Sequence, residues 1–155
     1  MAIQVKRILC PTDFSESSEH ALTYAVSFAR QYGATIYLVH VIEPVTAVPA
    51  IYLDPAMTLD ERPGLEDSIH KLLDEAIPKE IKDEIKVIPM IRRGAPFVEI
   101  ITVTKEENVD LIIIATHGRS GLAHLLLGST AERVVRKAPC PVLTVKHPEH
   151  EFVMP

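Results

Sequence analysis

The chain has 155 residues, 47% of them hydrophobic and 24% charged, and carries a formal net charge of -5. That length suits a single domain spanning 1–155, and the acidic balance speaks against nucleic acid and anionic membranes as partners. No apolar run reaches the roughly 20 residues of a membrane span, and Cys10 and Cys140 lie too far apart for a zinc motif or a disulfide framework, so a reducing cytoplasm is the expected setting.

Residues 5–11 are short, apolar and closed by Pro11, and they read as a first strand. Thr12, Asp13, Phe14 and Ser15 follow, all suited to a turn and a helix cap. The first helix places Ala21, Leu22, Ala25, Val26, Ala29 and Tyr32 on one face, and Gly33 offers a left-handed stop. Residues 35–42 form a second strand. Pro44, Pro49, Pro55 and Pro63 then punctuate a span predicted to be a long, flexible loop over 43–64.

A second helix begins near Leu65, with Leu65, Ile69, Leu72, Leu73, Ala76 and Ile77 as its apolar stripe. Pro78 ends or kinks it, and a further turn resumes over 79–83. Residues 86–91 are a third strand. Pro96, at a first helical position, opens a third helix with Phe97, Ile100, Ile101 and Thr104 inward and Asn108 as its stop. Residues 111–115 are a fourth strand, 129–137 a last helix and 142–145 a fifth strand. The tail over 147–155 is expected to fray.

Strands alternating with helices at this spacing predict an α/β fold: a five-stranded parallel sheet, Rossmann-like, with helices on both faces and strand order 3-2-1-4-5. Ligands of such sheets sit at the strands' C-terminal ends, where the winding reverses. With strand one beside strand four, Pro11, Thr12 and Asp13 share a crevice with residues 115–118.

The stretch after strand four is the most informative. Gly128, Ser129 and Thr130 open the last helix, where free backbone N–H groups and the helix dipole favour an anion. The rival reading is a capping box formed by Ser129 and Glu132, and the segment by itself favours that cap. Gly118 follows a buried strand and points to close backbone approach; Gly121 is better read as turn chemistry. Neither a G-x-G-x-x-G fingerprint nor a P-loop lysine is present, so no residue of this loop is equipped for γ-phosphate transfer. Asp13 reads equally as a ligand for ribose hydroxyls, adenine or metal and as a carboxylate at a helix start. His117 reads more readily as a structural loop histidine than as an acid/base.

These segments resemble the universal stress proteins, the UspA-like branch of the adenine-nucleotide α-hydrolase-like fold. The resemblance runs through P-T-D-F-S-E-S-S at 11–18, V-H-V-I-E-P at 39–44, G-A-P-F-V-E-I-I at 94–101 and the closing run from D-L-I-I-I-A-T-H-G-R-S-G to A-P-C-P-V-L-T-V. ATP-binding members carry Gly-x2-Gly-x9-Gly-Ser/Thr. Gly118 and Gly128 fill the second and third glycine positions and Ser129 follows. Ala115 stands at the first, where its methyl is expected to crowd a ribose held close to the backbone.

The resemblance implies that Pro11, Thr12, Asp13 and Val41 surround adenine and ribose. Ile114, Ala115 and Gly118 would line the ribose-phosphate side. Gly128, Ser129 and Thr130 would hold the phosphates of ATP, with Mg²⁺ or Mn²⁺ bridging them. It also implies a regulatory stress-response homodimer joined through 142–145, and an apolar edge strand independently invites pairing with its own copy. Two alternatives stand beside it: a nucleotide-free dimeric module acting through protein partners, and a slow ATPase in which His117 and Asp13 are the residues to replace.

Overall fold

The structure, a computed structural model, describes residues 2–44, 64–118 and 127–147. The loop expected over 43–64 therefore falls almost wholly outside the described residues, as do Arg119, Gly121 and the tail over 148–155. Five strands, β1 (Arg7–Pro11), β2 (Thr35–Ile42), β3 (Val87–Arg93), β4 (Leu111–Ala115) and β5 (Val142–Val145), pair in parallel in the order β3-β2-β1-β4-β5. The helices are α1 (Glu16–Tyr32), α2 (Leu65–Glu75), α3 (Lys79–Glu84), α4 (Pro96–Glu106) and α5 (Ser129–Lys137).

Side-chain alternation along the strands divides the core in two. Ile8, Cys10, Ile36, Leu38 and Ile113 pack with Ala21, Ala25 and Ala29 of α1 and with Ile69 and Leu73 of α2. Leu9, Val39, Ile112 and Ile114 pack on the other face with Ile100 and Val103 of α4 and Val134 of α5. All five residues of β4 are buried, because that strand lies between β1 and β5 with helices above and below. Arg133 of α5 stacks over the Phe97 ring at 4.9 Å and ties α5 to α4.

Helix ends follow local chemistry. The Ser15 side chain accepts a bond from the Ser18 N–H to start α1, and Gly33, at φ 66, closes it. Asn108 takes φ 49 just past α4, the stop its side chain suits.

Four sequence expectations need correction. β3 extends to Arg93 because Val41 and Ile42 of β2 pair with Arg92 and Arg93; edge position lets both arginines reach water and pair with Glu106 and Glu66. Tyr32, the last residue of α1, stacks on Phe28 instead of entering the core, and Leu72 lies off the buried line of Ile69 and Leu73. In α4, Val103 is buried together with Ile100 and Thr104, and Ile101 is only half-buried.

Burial also fixes the chemistry of Cys10. Its thiol is inaccessible, and desolvation pushes its pKa from 9.0 up to about 12. The folded state thus disfavours the thiolate that the unfolded chain forms freely. This contribution to stability is complete below about pH 9 and is lost progressively as pH rises toward 12. The expected result is a urea midpoint that falls between pH 8.5 and roughly pH 10.5 in the parent protein and falls less in a Cys10→Ala variant. Equal losses in both would show that Cys10 is not the group responsible.

Candidate functional site

Winding reverses between β1 and β4, and a crevice of about 420 Å³ opens there at the strands' C-terminal ends. Pro11, Thr12 and Asp13 line it from the end of β1, and Val41 from β2. Ile114, Ala115 and Gly118 line it from β4 and its exit, and Gly128, Ser129 and Thr130 from the start of α5. The structure thus brings every site residue expected from the sequence to one crevice. A larger groove, about 850 Å³, runs between α1 and the α2–α3 pair, far from the strand ends. It is lined by Pro78 at the start of the six-residue α3, and no glycine lines it.

The β1–α1 turn is held by a chain of hydrogen bonds. The Thr12 N–H donates to the Val39 carbonyl at 2.8 Å and so extends the β1–β2 ladder past Pro11. Thr12 Oγ1 accepts from the Phe14 N–H at 3.1 Å and lies 3.1 Å from Ser18 Oγ. The Thr12 carbonyl lies 2.8 Å from His40 Nδ1; because a carbonyl only accepts, that nitrogen carries the proton. Phe14 sits at φ 63, a region costly for a bulky residue, and its ring packs on His40 with centroids 4.7 Å apart. The turn is therefore fixed from both sides, and Asp13 with it.

Asp13 fills the helix-start role and also lines the crevice. Its Oδ1 accepts from the Ser15 N–H at 3.0 Å, an Asx turn that leads into α1. Its Oδ2 lies against Gly118, where an added Cβ would sit 2.7 Å away. Gly118 is glycine because a carboxylate occupies the space of its side chain.

Gly128 answers to backbone. Its N–H donates to the Thr116 carbonyl at 2.6 Å, and an added Cβ would stand 2.9 Å from that same oxygen. The capping-box reading fails here. The N-cap of α5 is Gly128 and no side chain caps it, because Ser129 is already the first helical residue. A cap residue needs extended backbone ahead of the helix, and Gly128 holds that place at φ -66, ψ 156. The first turn of α5 therefore presents its backbone N–H groups, with the Ser129 and Thr130 residues, to the crevice.

Ala115 is only 9% exposed, and its side chain packs in the core cluster that contains Ile113, Val145 and α1. Alternation along β4 sends that methyl toward α1, whereas Ile114 faces the cluster of α4 and α5. The expected crowding of a ribose by this methyl is not supported by its packing.

Sequence reading missed Glu43 as a lining residue, whereas Thr116 and His117 line the crevice within the expected 115–118 stretch. Thr116 is buried, and its Oγ1 lies 3.0 Å from His117 Nδ1. Glu43 belongs to the V-H-V-I-E-P segment, and its place directly after β2 is the signal that could have marked it. The crevice lining thus combines two carboxylates, Asp13 and Glu43, with the positive end of α5. Among the described residues no three His, Cys, Asp or Glu side chains form a metal cluster. No described helix is long and apolar enough to cross a membrane.

The sequence profile of the Universal stress protein family matches residues 4–146. The chain belongs to that family. Universal stress protein MJ0577 of Methanocaldococcus jannaschii is 35% identical over 158 residues, covering 94% of this chain and 98% of its own. The structure of MJ0577 superposes with a TM-score of 0.80 at 32% identity, covering 95% of this chain and 99% of that one. Two further structures share the fold. A universal stress protein in complex with cAMP gives a TM-score of 0.67 at 23% identity, covering 92% and 98% of the two chains. The Archaeoglobus fulgidus protein in complex with dAMP gives 0.62 at 22%, covering 94% and 100%.

Proposed function

We propose that this universal stress protein binds ATP in the crevice between β1 and β4 and acts as a regulatory, dimeric stress-response protein of the cytoplasm. The carrying observation is the uncapped start of α5 at Gly128, facing the crevice across from Asp13 and Val41. The two ends of the crevice ask for opposite chemistry. Backbone N–H groups at the positive end of α5 suit a polyphosphate, with the hydroxyls of Ser129 and Thr130 at hand. Asp13 and Glu43 suit hydrogen-bond donors, such as ribose hydroxyls.

Val41 fits the base. Thr35 donates to Lys6 and Val39 accepts from Thr12, so odd-numbered residues of β2 turn their peptide groups toward β1. β1 pairs only as far as Val39. Two residues on, the Val41 peptide is turned toward the crevice, where an N–H and a C=O suit the N1 acceptor and N6 donor of adenine. Adenine mononucleotides in two proteins of this fold accord with that choice. A divalent ion would be held chiefly by phosphate oxygens, since the described residues offer the crevice two carboxylates and no ligand cluster.

The β5 edge supports self-association. Pro141 and Val145 carbonyls accept from Ile112 and Thr116 of β4. Odd residues of β5 therefore face β4, and Val142 and Thr144 turn their N–H and C=O groups outward to pair with a second copy.

Isothermal titration with ATP and Mg²⁺ tests the nucleotide reading. Saturable heat and a raised melting temperature are expected, about 2.7 kcal/mol of stabilisation at one hundred times Kd. No heat and no thermal shift at millimolar nucleotide would overturn it. Because the Ala115 methyl is packed in the core, Ala115→Gly should change ATP affinity by less than about threefold and lower stability by about 1 kcal/mol. A large gain in affinity would instead show that the methyl obstructs the nucleotide.

A further inference from the structure

We propose that one flank of α1, the aromatic row His20, Tyr24, Phe28 and Tyr32, completes the self-association surface by packing against the same row of a second copy. The inference rests on the β5 pairing proposed above and adds residues that the strand does not contain.

The row recurs every four residues, so its members lie along a single ridge of the helix. His20 meets Tyr24 edge-on at 5.4 Å and Phe28 meets Tyr32 at 6.0 Å. Tyr24 and Tyr32 are 44% and 47% exposed, although the chain has only four tyrosines and four phenylalanines. The opposite flank of α1 is polar, with Glu19, Thr23, Ser27 and Arg30 facing the groove toward α2. Ala21, Ala25 and Ala29 face the sheet between the two flanks. The aromatic ridge is therefore on the side away from α2, which is the β5 side. There α1 packs over β4 and touches β5, and Glu16 lies 3.6 Å from His147, just past that strand.

Geometry explains why the ridge is aromatic. Antiparallel pairing of two β5 edges sets a twofold axis perpendicular to the sheet, which places both copies of α1 on the same face. With α1 over β4, the two helices are three strand spacings apart, about 14 Å. Helices in ordinary contact pack at about 8–10 Å. Small or branched side chains would leave that gap open, and tyrosine and phenylalanine can reach across it.

Interface size calls for the same surface. Within β5, Val142 and Thr144 present outward peptide groups, enough for about four hydrogen bonds across the axis. A stable interface buries about 1,200–2,000 Å² in total. Aromatic side chains bury about 150–250 Å² each and supply what a four-residue strand lacks.

Sedimentation equilibrium of the full chain tests this with Tyr24→Ser/Tyr32→Ser beside Tyr24→Phe/Tyr32→Phe. The serine variant should weaken dimerisation about tenfold or more, with far-ultraviolet circular dichroism unchanged, and the phenylalanine variant should stay near the parent. A parent dimer that the serine variant leaves equally tight overturns the aromatic interface but not the β5 pairing. A parent that stays monomeric at millimolar concentration overturns both. Nitration of Tyr24 and Tyr32, read by mass spectrometry, gives a measurement independent of variant folding. Both should be slow to react in the dimer and fast after dilution to monomer; equal rates count against the proposal.

Discussion

Gly128→Val is expected to weaken ATP binding by more than about 100-fold while the chain still folds. The Cβ of any larger residue would stand 2.9 Å from the Thr116 carbonyl oxygen, and that oxygen already accepts the Gly128 N–H at 2.6 Å. Neither partner is a flexible side-chain end, so relief comes from moving the first turn of α5 away from β4. That turn carries the phosphate-facing N–H groups together with Ser129 and Thr130. Losing two charge-assisted hydrogen bonds at about 1.5 kcal/mol each costs about 3 kcal/mol, or two orders of magnitude in Kd. Stability should fall by about 1–3 kcal/mol, the usual range for overpacking. Titration calorimetry and urea denaturation measure the two effects separately. Retained affinity in a folded variant would show that the α5 start is not the phosphate site.

The fold could be read from the sequence because its determinants are local. The alternation of short β-branched runs with amphipathic stretches fixed the order of elements, and Pro11, Gly33, Pro78 and Pro96 marked where they begin or end. Errors arose where tertiary pairing outweighed local pattern. The apolar run of β3 stops at Ile91, yet its ladder with β2 continues through two arginines. The crevice was legible at Gly118 and Gly128 through their match to the family's glycine pattern, but the reasons those positions are glycine were not. One answers to a carboxylate a hundred residues away in sequence, and the other to a backbone carbonyl.

The capping box shows the limit most clearly. Ser129 and Glu132 have the required spacing, but a cap also needs extended backbone at the serine, and the helix begins one residue too early for that. Ala115 shows the converse. It departs from the glycine pattern, and only strand alternation reveals that its methyl is packed in the core beneath α1. A motif lists residue types, and neither case could be decided without knowing which way each residue faces.

Thr144→Pro is expected to yield a folded monomer. Odd-numbered residues of β5 bond to β4, through the Ile112 N–H to the Pro141 carbonyl and the Thr116 N–H to the Val145 carbonyl. The Thr144 N–H points away from β4, so proline there removes no bond of the β4–β5 ladder. Leu143, the preceding residue, is already extended as a residue before proline must be. The cost to the monomer is then the adjustment of one φ angle, about 1 kcal/mol. The cost to a dimer is larger. Twofold symmetry repeats the substitution, removing an N–H from each copy and placing a ring against each facing carbonyl. Two lost hydrogen bonds with their acceptors left buried amount to about 3–5 kcal/mol, which raises the dissociation constant by more than about 100-fold. Thr144→Val, which keeps the N–H, should dimerise like the parent. Sedimentation velocity across a concentration series distinguishes the three proteins. An undiminished Thr144→Pro dimer would place the contact between copies on a surface other than β5.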